Sequence, residues 1–147
     1  MIKDNPNQLF VSENDLNQIN QLILSHQTVD SEVKDSLSRL KYKIGKARIL
    51  STIVELNIAG LYSIITVSTP FGRKVDLQIV MPDEANLNER KLSIISTLGV
   101  AIFGNLQGAK AIWKFPEKDE IIEIIQIDNS RIKQNSYTSH VYPSQYE

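Results

Sequence analysis

The chain of 147 residues carries 16 basic and 17 acidic side chains, two histidines and no cysteine, for a formal charge of -1. That length suits one domain with a real core, or such a domain plus a small helical appendage, and near neutrality leaves only local contacts to any polyanion. The absence of cysteine removes disulfides, thiolate nucleophiles and the common structural zinc sites. No segment reaches the roughly 20 apolar residues of a membrane span, so a soluble cytoplasmic protein is expected.

Residues 1–11 are rich in Asn, Asp and Pro and are expected to be flexible. Ser12 is placed to cap a helix, with Glu13 and Asp15 in the first turn, where negative charge suits the helix dipole. Leu16, Ile19 and Ile23 give that helix an apolar stripe, and the polar run His26 to Asp30 ends it. A second helix is predicted over 31–48, with Val33, Leu37, Leu40, Ile44 and Ala47 at spacings of three and four. Two amphipathic helices joined by a short loop read as an antiparallel hairpin over 12–50.

After Leu50 the pattern changes. Leu61 to Thr69 is β-branched and aromatic, and Thr69-Pro70-Phe71-Gly72 fits a type I turn. Val75, Leu77, Ile79 and Met81 then alternate with other residues, as expected of a strand with one buried face. A polar loop from Pro82 to Arg90 leads to Leu92, Ile94 and Ile95, a short strand. Ser96 and Thr97 follow as hydroxyls at the start of a short helix bearing Leu98, Ala101, Ile102 and Phe103, with Gly104 and Gly108 as stops. Ala111 to Phe115 and Ile121 to Ile127 form a last strand pair, the isoleucine-rich member reading as buried on both faces. Residues 129–147 read as a polar tail with Tyr137, Tyr142 and Tyr146. The sum is α+β, an antiparallel sheet domain over 51–128 with one short helix, preceded by the helical hairpin.

The inventory for catalysis is thin. His26 falls in the interhelical loop and His140 in the tail, so neither has the rigid surroundings of a triad or a metal cluster. Gly99 to Gly104 has phosphate-loop spacing, but Asn105 and Leu106 stand where Lys and Ser or Thr would be needed. Acidic groups at Asp30, Glu32 and Asp35, at Asp83 and Glu84, and at Glu117, Asp119 and Glu120 read as solvated loops and helix starts. Arg39, Lys41, Lys43, Lys46 and Arg48 read as an exposed basic helix face, and Trp113 and Phe115 as core. No catalytic residue, metal site or cofactor is expected.

The segment 92–108, LSIISTLGVAIFGNLQG, resembles the stretch of the bacterial Gre transcript-cleavage factors, and of the related regulator of nucleoside diphosphate kinase (Rnk), that reads approximately I-S-x-x-S-P-L-G-x-A-L-x-G-x-x-x-G-D. Ser93, Ser96, Leu98, Gly99, Ala101, Gly104 and Gly108 match, while Thr97 replaces the usual Pro and Ala109-Lys110 the usual Asp. Gly60 to Ser63, Gln78 to Val80, Asp83 to Asn86 and Ile121 to Ile127 extend the likeness over about residues 58–128. The resemblance implies an FKBP-like domain that docks at the rim of the RNA polymerase secondary channel. Asp83, Glu84, Ser96, Thr97, Leu98 and Gly99 are the candidate docking residues.

Gre factors reach the polymerase active centre with a long coiled coil whose acidic tip holds Mg²⁺. Helices of about fourteen and eighteen residues give an arm of only about 20 to 27 Å at 1.5 Å per residue, and the candidate tip acids Asp30 and Glu32 lack the family's acidic loop. The expectation is a short-armed, Rnk-like RNA polymerase-binding regulator of elongation that is not an enzyme. It would approach nucleic acid only indirectly, and sequence leaves its oligomeric state open. The alternatives are a cleavage-stimulating factor with Asp30 and Glu32 at the tip, and a peptidyl-prolyl isomerase suggested by the FKBP-like fold.

Overall fold

The computed structural model of the protein describes residues 7–132. His140 and the three tail tyrosines lie outside the described residues. In chain order the elements are β1 (Phe10–Ser12), α1 (Glu13–Ser25), α2 (Ser31–Lys46), β2 (Arg48–Leu50), β3 (Ile64–Thr69), β4 (Gly72–Val80), β5 (Lys91–Ser93), α3 (Thr97–Ile102), β6 (Lys110–Trp113) and β7 (Glu120–Asp128). No helix is long and apolar enough to cross a membrane among the described residues.

Ser12 caps α1 as its sequence position predicts, its hydroxyl accepting the Asp15 N–H at 3.1 Å. Asp30 caps α2, its carboxylate accepting the N–H groups of Glu32 at 2.8 Å and Val33 at 3.3 Å. The flexible segment expected through residue 11 is corrected at its end: Phe10 and Val11 are both 1% exposed, and β1 pairs in parallel with β2. That pairing also stops α2 at Lys46, short of the predicted Arg48, because Arg48 to Leu50 must be extended to meet β1.

The two helices do not stand away from the sheet. Ile19 and Leu22 of α1 and Leu40 and Ile44 of α2 join one core with Ile65 and Val67 of β3, Ile79 of β4 and Ile122 and Ile124 of β7. Leu16, Val33 and Leu37 pack against the same core, so the apolar stripes are covered along nearly their whole length. Leu24 and Val29, at the loop end, remain exposed.

The main sheet has the order β5-β4-β3-β7-β6. Its pairings are antiparallel, as expected, with the one exception that β4 runs parallel to β5. The residues between those strands, coiled into short 3₁₀ turns at Pro82–Glu84 and Leu87–Glu89, carry the chain back alongside β4 before β5 begins. β7 holds a central place, but Ile121 is 56% exposed while Ile122, Ile124 and Ile127 are buried. It is therefore covered on one face, not two. Ile124 and Ile127 stay on the same side because the register slips at Ile125, where Thr66 faces Gln126 and Val67 faces Ile124. A second bulge, at Val75 and Asp76 of β4 with Asp76 at φ 58°, turns Val75 outward against the simple alternation.

Behind the sheet, Phe10, Ile53, Ile58 and Ile132 form a smaller core. Asn129 is buried there, its amide donating to the carbonyls of Ile53 at 3.1 Å, Leu56 at 2.6 Å and Ile58 at 2.9 Å and its oxygen accepting from the Ser63 hydroxyl. Asn129 to Ile132 thus complete the fold, although sequence assigns them to the polar tail.

Candidate functional site

The corner between β5 and α3 is built by short-range hydrogen bonds. Ser96 caps α3, its hydroxyl accepting the Gly99 N–H at 3.0 Å and donating to the Ser93 carbonyl at 2.7 Å. A Cβ at position 99 would lie 2.2 Å from that same backbone oxygen, so glycine is what permits the helix to start so close to β5. Leu98 is 6% exposed and belongs to the core, as does its neighbour Gly99 by burial. Of the four candidate docking residues here, Leu98 and Gly99 are packing residues, and the Ser96 hydroxyl is engaged by the backbone.

Thr97 is the side chain the corner offers. It is half-buried, and its hydroxyl accepts the indole N–H of Trp113 at 3.1 Å. Trp113 in turn packs against Phe115, with centroids 4.6 Å apart, and edge-on against Phe71 at 6.1 Å. Phe71, at the β3–β4 turn, is 66% exposed, and the Lys74 ammonium lies 6.0 Å from the Trp113 ring centroid. Sequence reasoning places Trp113 and Phe115 in the core and passes over Phe71. The readable signal was position: Phe71 lies in the β3–β4 turn and Phe115, before Pro116, lies two residues past the end of β6.

An open cleft joins this corner to the start of α2. Thr97, Phe115 and Lys114 line one wall, and Ser31, Glu32, Asp35 and Arg39 the other. Glu32, a candidate tip acid, therefore shares a cleft with Thr97. Asp35 pairs with Arg39 and Lys114 with Asp119 at 3.0 Å. Asp30, exposed, spends its carboxylate on capping α2.

Asp83 and Glu84 lie elsewhere. Asp83 is exposed and lines a hollow with Gln18, Gln21, Ser25 and His26 of the hairpin. Glu84 accepts from the Tyr62 hydroxyl at 2.6 Å and from the Met81 N–H at 3.3 Å, so it braces the loop. Burial, with Glu84 beside it, pushes the Tyr62 hydroxyl well above its ordinary range. Of the six candidate docking residues, Thr97 lines one hollow and Asp83 the other. Among the described residues, no group of three or more acids and histidines is placed to hold a metal ion.

Two buried ionisable groups fasten the hairpin beneath this surface. Lys43, assigned by sequence to an exposed basic face, shares its three Nζ protons among the carbonyls of Val100 at 2.8 Å, Ala101 at 3.1 Å and Phe103 at 2.6 Å and Asn105 Oδ1 at 2.9 Å. It closes the carbonyl end of α3. Burial pushes its ammonium down to about 7, against which these four oxygens work. The sequence signal was its spacing of three from Leu40 and four from Ala47, on the apolar stripe. On α1, Asp15 accepts the Leu61 N–H at 3.0 Å, and burial raises its carboxyl to about 6.

The profile of the family described as transcription elongation factor, GreA/GreB, C-term, matches residues 56–129. No curated protein matches the chain. Among solved structures, the prokaryotic transcription elongation factor GreA/GreB from Nitrosomonas europaea superposes with a TM-score of 0.63 at 16% identity, over 82% of this chain and 98% of that one. Gfh1, the GreA factor homolog of Thermus thermophilus, aligns at 18% identity over 82% and 98% of the two chains with a TM-score of 0.41. The first of these is a likeness of fold, with helices preceding a curled, mostly antiparallel sheet. The family match runs from Leu56 to Asn129, through the sheet, the Ser96 corner and α3, and on it the chain belongs to the GreA/GreB transcription elongation factor family.

Proposed function

We propose that the protein binds RNA polymerase, at the rim of its secondary channel, and regulates elongation without stimulating transcript cleavage. Family membership supports the partner and the process. The observation that carries the finer reading is the seating of the hairpin: Ile19, Leu22, Leu40 and Ile44 are shared with the sheet core. Asp30 and Glu32 consequently sit on a helix start held against the domain, one as a cap and the other in the cleft beside Thr97. A cleavage factor has to present carboxylates to a metal at the end of a projecting arm. This chain presents the short loop 26–30 instead, in keeping with a short-armed, Rnk-like binder that is not an enzyme.

Arrested elongation complexes provide the test. The protein is expected to co-purify with RNA polymerase and to compete with an active Gre factor, while releasing no short 3′ RNA fragments of its own. Release of such fragments by the wild type, abolished in Asp30→Ala or Glu32→Ala, would establish the cleavage reading in its place. Failure to bind polymerase, beside a Gre factor that does, would remove the partner itself.

A further inference from the structure

We infer that the hollow between α1 and the Pro82–Glu84 turn receives an arginine side chain from the surface of RNA polymerase, its guanidinium held by the Asp83 carboxylate. The inference rests on the reading above that the protein binds polymerase.

Unbalanced charge carries it. The hollow has a volume of about 540 Å³ and is lined by Gln18, Gln21 and Asp83 among its polar groups, with Leu22, Met81 and Pro82 as its apolar part. No lysine or arginine lines it, and α1 has none along its length, so the negative end of the helix dipole there is uncompensated. The Asp83 carboxylate makes no hydrogen bond or ion pair among the described residues. The cleft beside Thr97 differs, since Arg39, Lys114 and Lys118 stand among its acids.

The turn that presents Asp83 is braced by a strained residue. Tyr62 adopts φ 70°, a left-handed conformation that disfavours most residues other than glycine. Its hydroxyl donates to Glu84 Oε1 at 2.6 Å, and Glu84 also accepts the Met81 N–H at 3.3 Å. Glu84 is thereby engaged inside the turn, and Asp83 is the carboxylate left to line the hollow. Burial first, then the Glu84 hydrogen bond and the charges of Glu84, Asp83 and Asp15, push the Tyr62 hydroxyl above its ordinary range. The brace therefore stays a donor, and three acids gather on one flank.

A guanidinium suits this lining better than a compact ammonium or a metal ion. Its planar fork of N–H donors can bond the carboxylate and the side-chain oxygens of Gln18 and Gln21 together. Its weakly hydrated face and methylene stem suit Leu22, Met81 and Pro82. For a metal ion the lining offers Asp83 and His26, and no third acid or histidine joins them among the described residues.

Two measurements on the full-length protein test it. In the first, isotope-labelled protein is titrated with N-acetyl-arginine amide, and the side-chain amide resonances of Gln18 and Gln21 are expected to shift in the wild type and to stay in place in Asp83→Asn. In the second, the protein is titrated with purified RNA polymerase. Asp83→Asn is expected to bind about tenfold more weakly at low salt, with the deficit shrinking as salt is raised. Glu55→Gln, an exposed acid outside the hollow, is expected to stay within about twofold. Tyr62→Phe, which keeps the ring and removes the brace, is expected to fall between the two. Near-ultraviolet circular dichroism establishes that each variant is folded. A folded Asp83→Asn variant that binds polymerase as the wild type does would overturn the inference and leave the polymerase reading standing. So would a deficit that salt does not change, the mark of a merely structural residue. A wild type that binds no polymerase would overturn both. Spermidine, titrated in place of the arginine amide, decides the source of the cation: shifts at Gln18 and Gln21 with spermidine alone would give the hollow to a small polyamine and overturn the polymerase arginine.

Discussion

Asp15 and Lys43 sit on different helices of the hairpin, and each fastens its helix to backbone groups of the sheet domain. Their titrations act on stability in opposite directions. Asp15 is raised from 3.8 to about 6, so between those values the folded chain holds more protons than the unfolded one. Its stabilising contribution is complete below 3.8 and lost as pH rises through 6. Lys43 is lowered from 10.5 to about 7, so the unfolded chain holds the extra proton in between. Its contribution is present above 10.5 and lost as pH falls through 7. The urea midpoint of the wild type, measured relative to Asp15→Asn, is therefore expected to drop from about pH 4 to 6. Relative to Lys43→Met it is expected to climb from about pH 7 towards 10. A flat difference curve would refute the corresponding burial. Neither group announces itself in sequence: Asp15 reads as an ordinary first-turn acid, and only spacing hints that Lys43 lies on the buried stripe.

At the level of elements, the pieces most legible from sequence are those whose periodicity is uninterrupted. The caps Ser12 and Ser96 and the stripe Leu37, Leu40, Ile44 lie where the sequence puts them. Alternation in β4 and the isoleucine run of β7 mislead because each strand contains a bulge, and one extra residue exchanges the faces that follow. β1 is missed for a different reason. Three residues carry too little pattern to outweigh the Asn and Asp before them, and their partner β2 lies across the whole hairpin. Because the helices are fastened by a shared core, Leu40→Ala, at a site with no exposure, should cost about 2–5 kcal/mol. Lys41→Ala, on the exposed face one residue along, should stay within about 0.5 kcal/mol. Chemical denaturation checks both, and a small loss at Leu40 would mean that the hairpin is loosely seated.

Over the whole molecule, the family likeness visible in residues 92–108 points to a corner of the fold but not to which of its side chains reach solvent. The spacing of Ser96, Leu98 and Gly99 reflects how tightly β5 and α3 approach, a packing demand that sequence alone does not separate from a docking one. The cleft escapes a linear reading altogether, since its walls come from α2, the Thr97 corner and the β6–β7 turn.

The order of the strands also governs when the protein can fold as it is made. Among the described residues β7 is the last strand yet lies between β3 and β6, and β6 has β7 as its sole neighbour in the sheet. Asn129, immediately after it, ties together the carbonyls of residues 53, 56 and 58. A nascent chain that ends before Glu120 lacks the strand that joins the two parts of the sheet. Ribosome-stalled chains ending there should be cut readily by protease, whereas chains with Asn129 beyond the exit tunnel should resist it. Folding of this domain is thus withheld until β7 has been made, and completes around that strand.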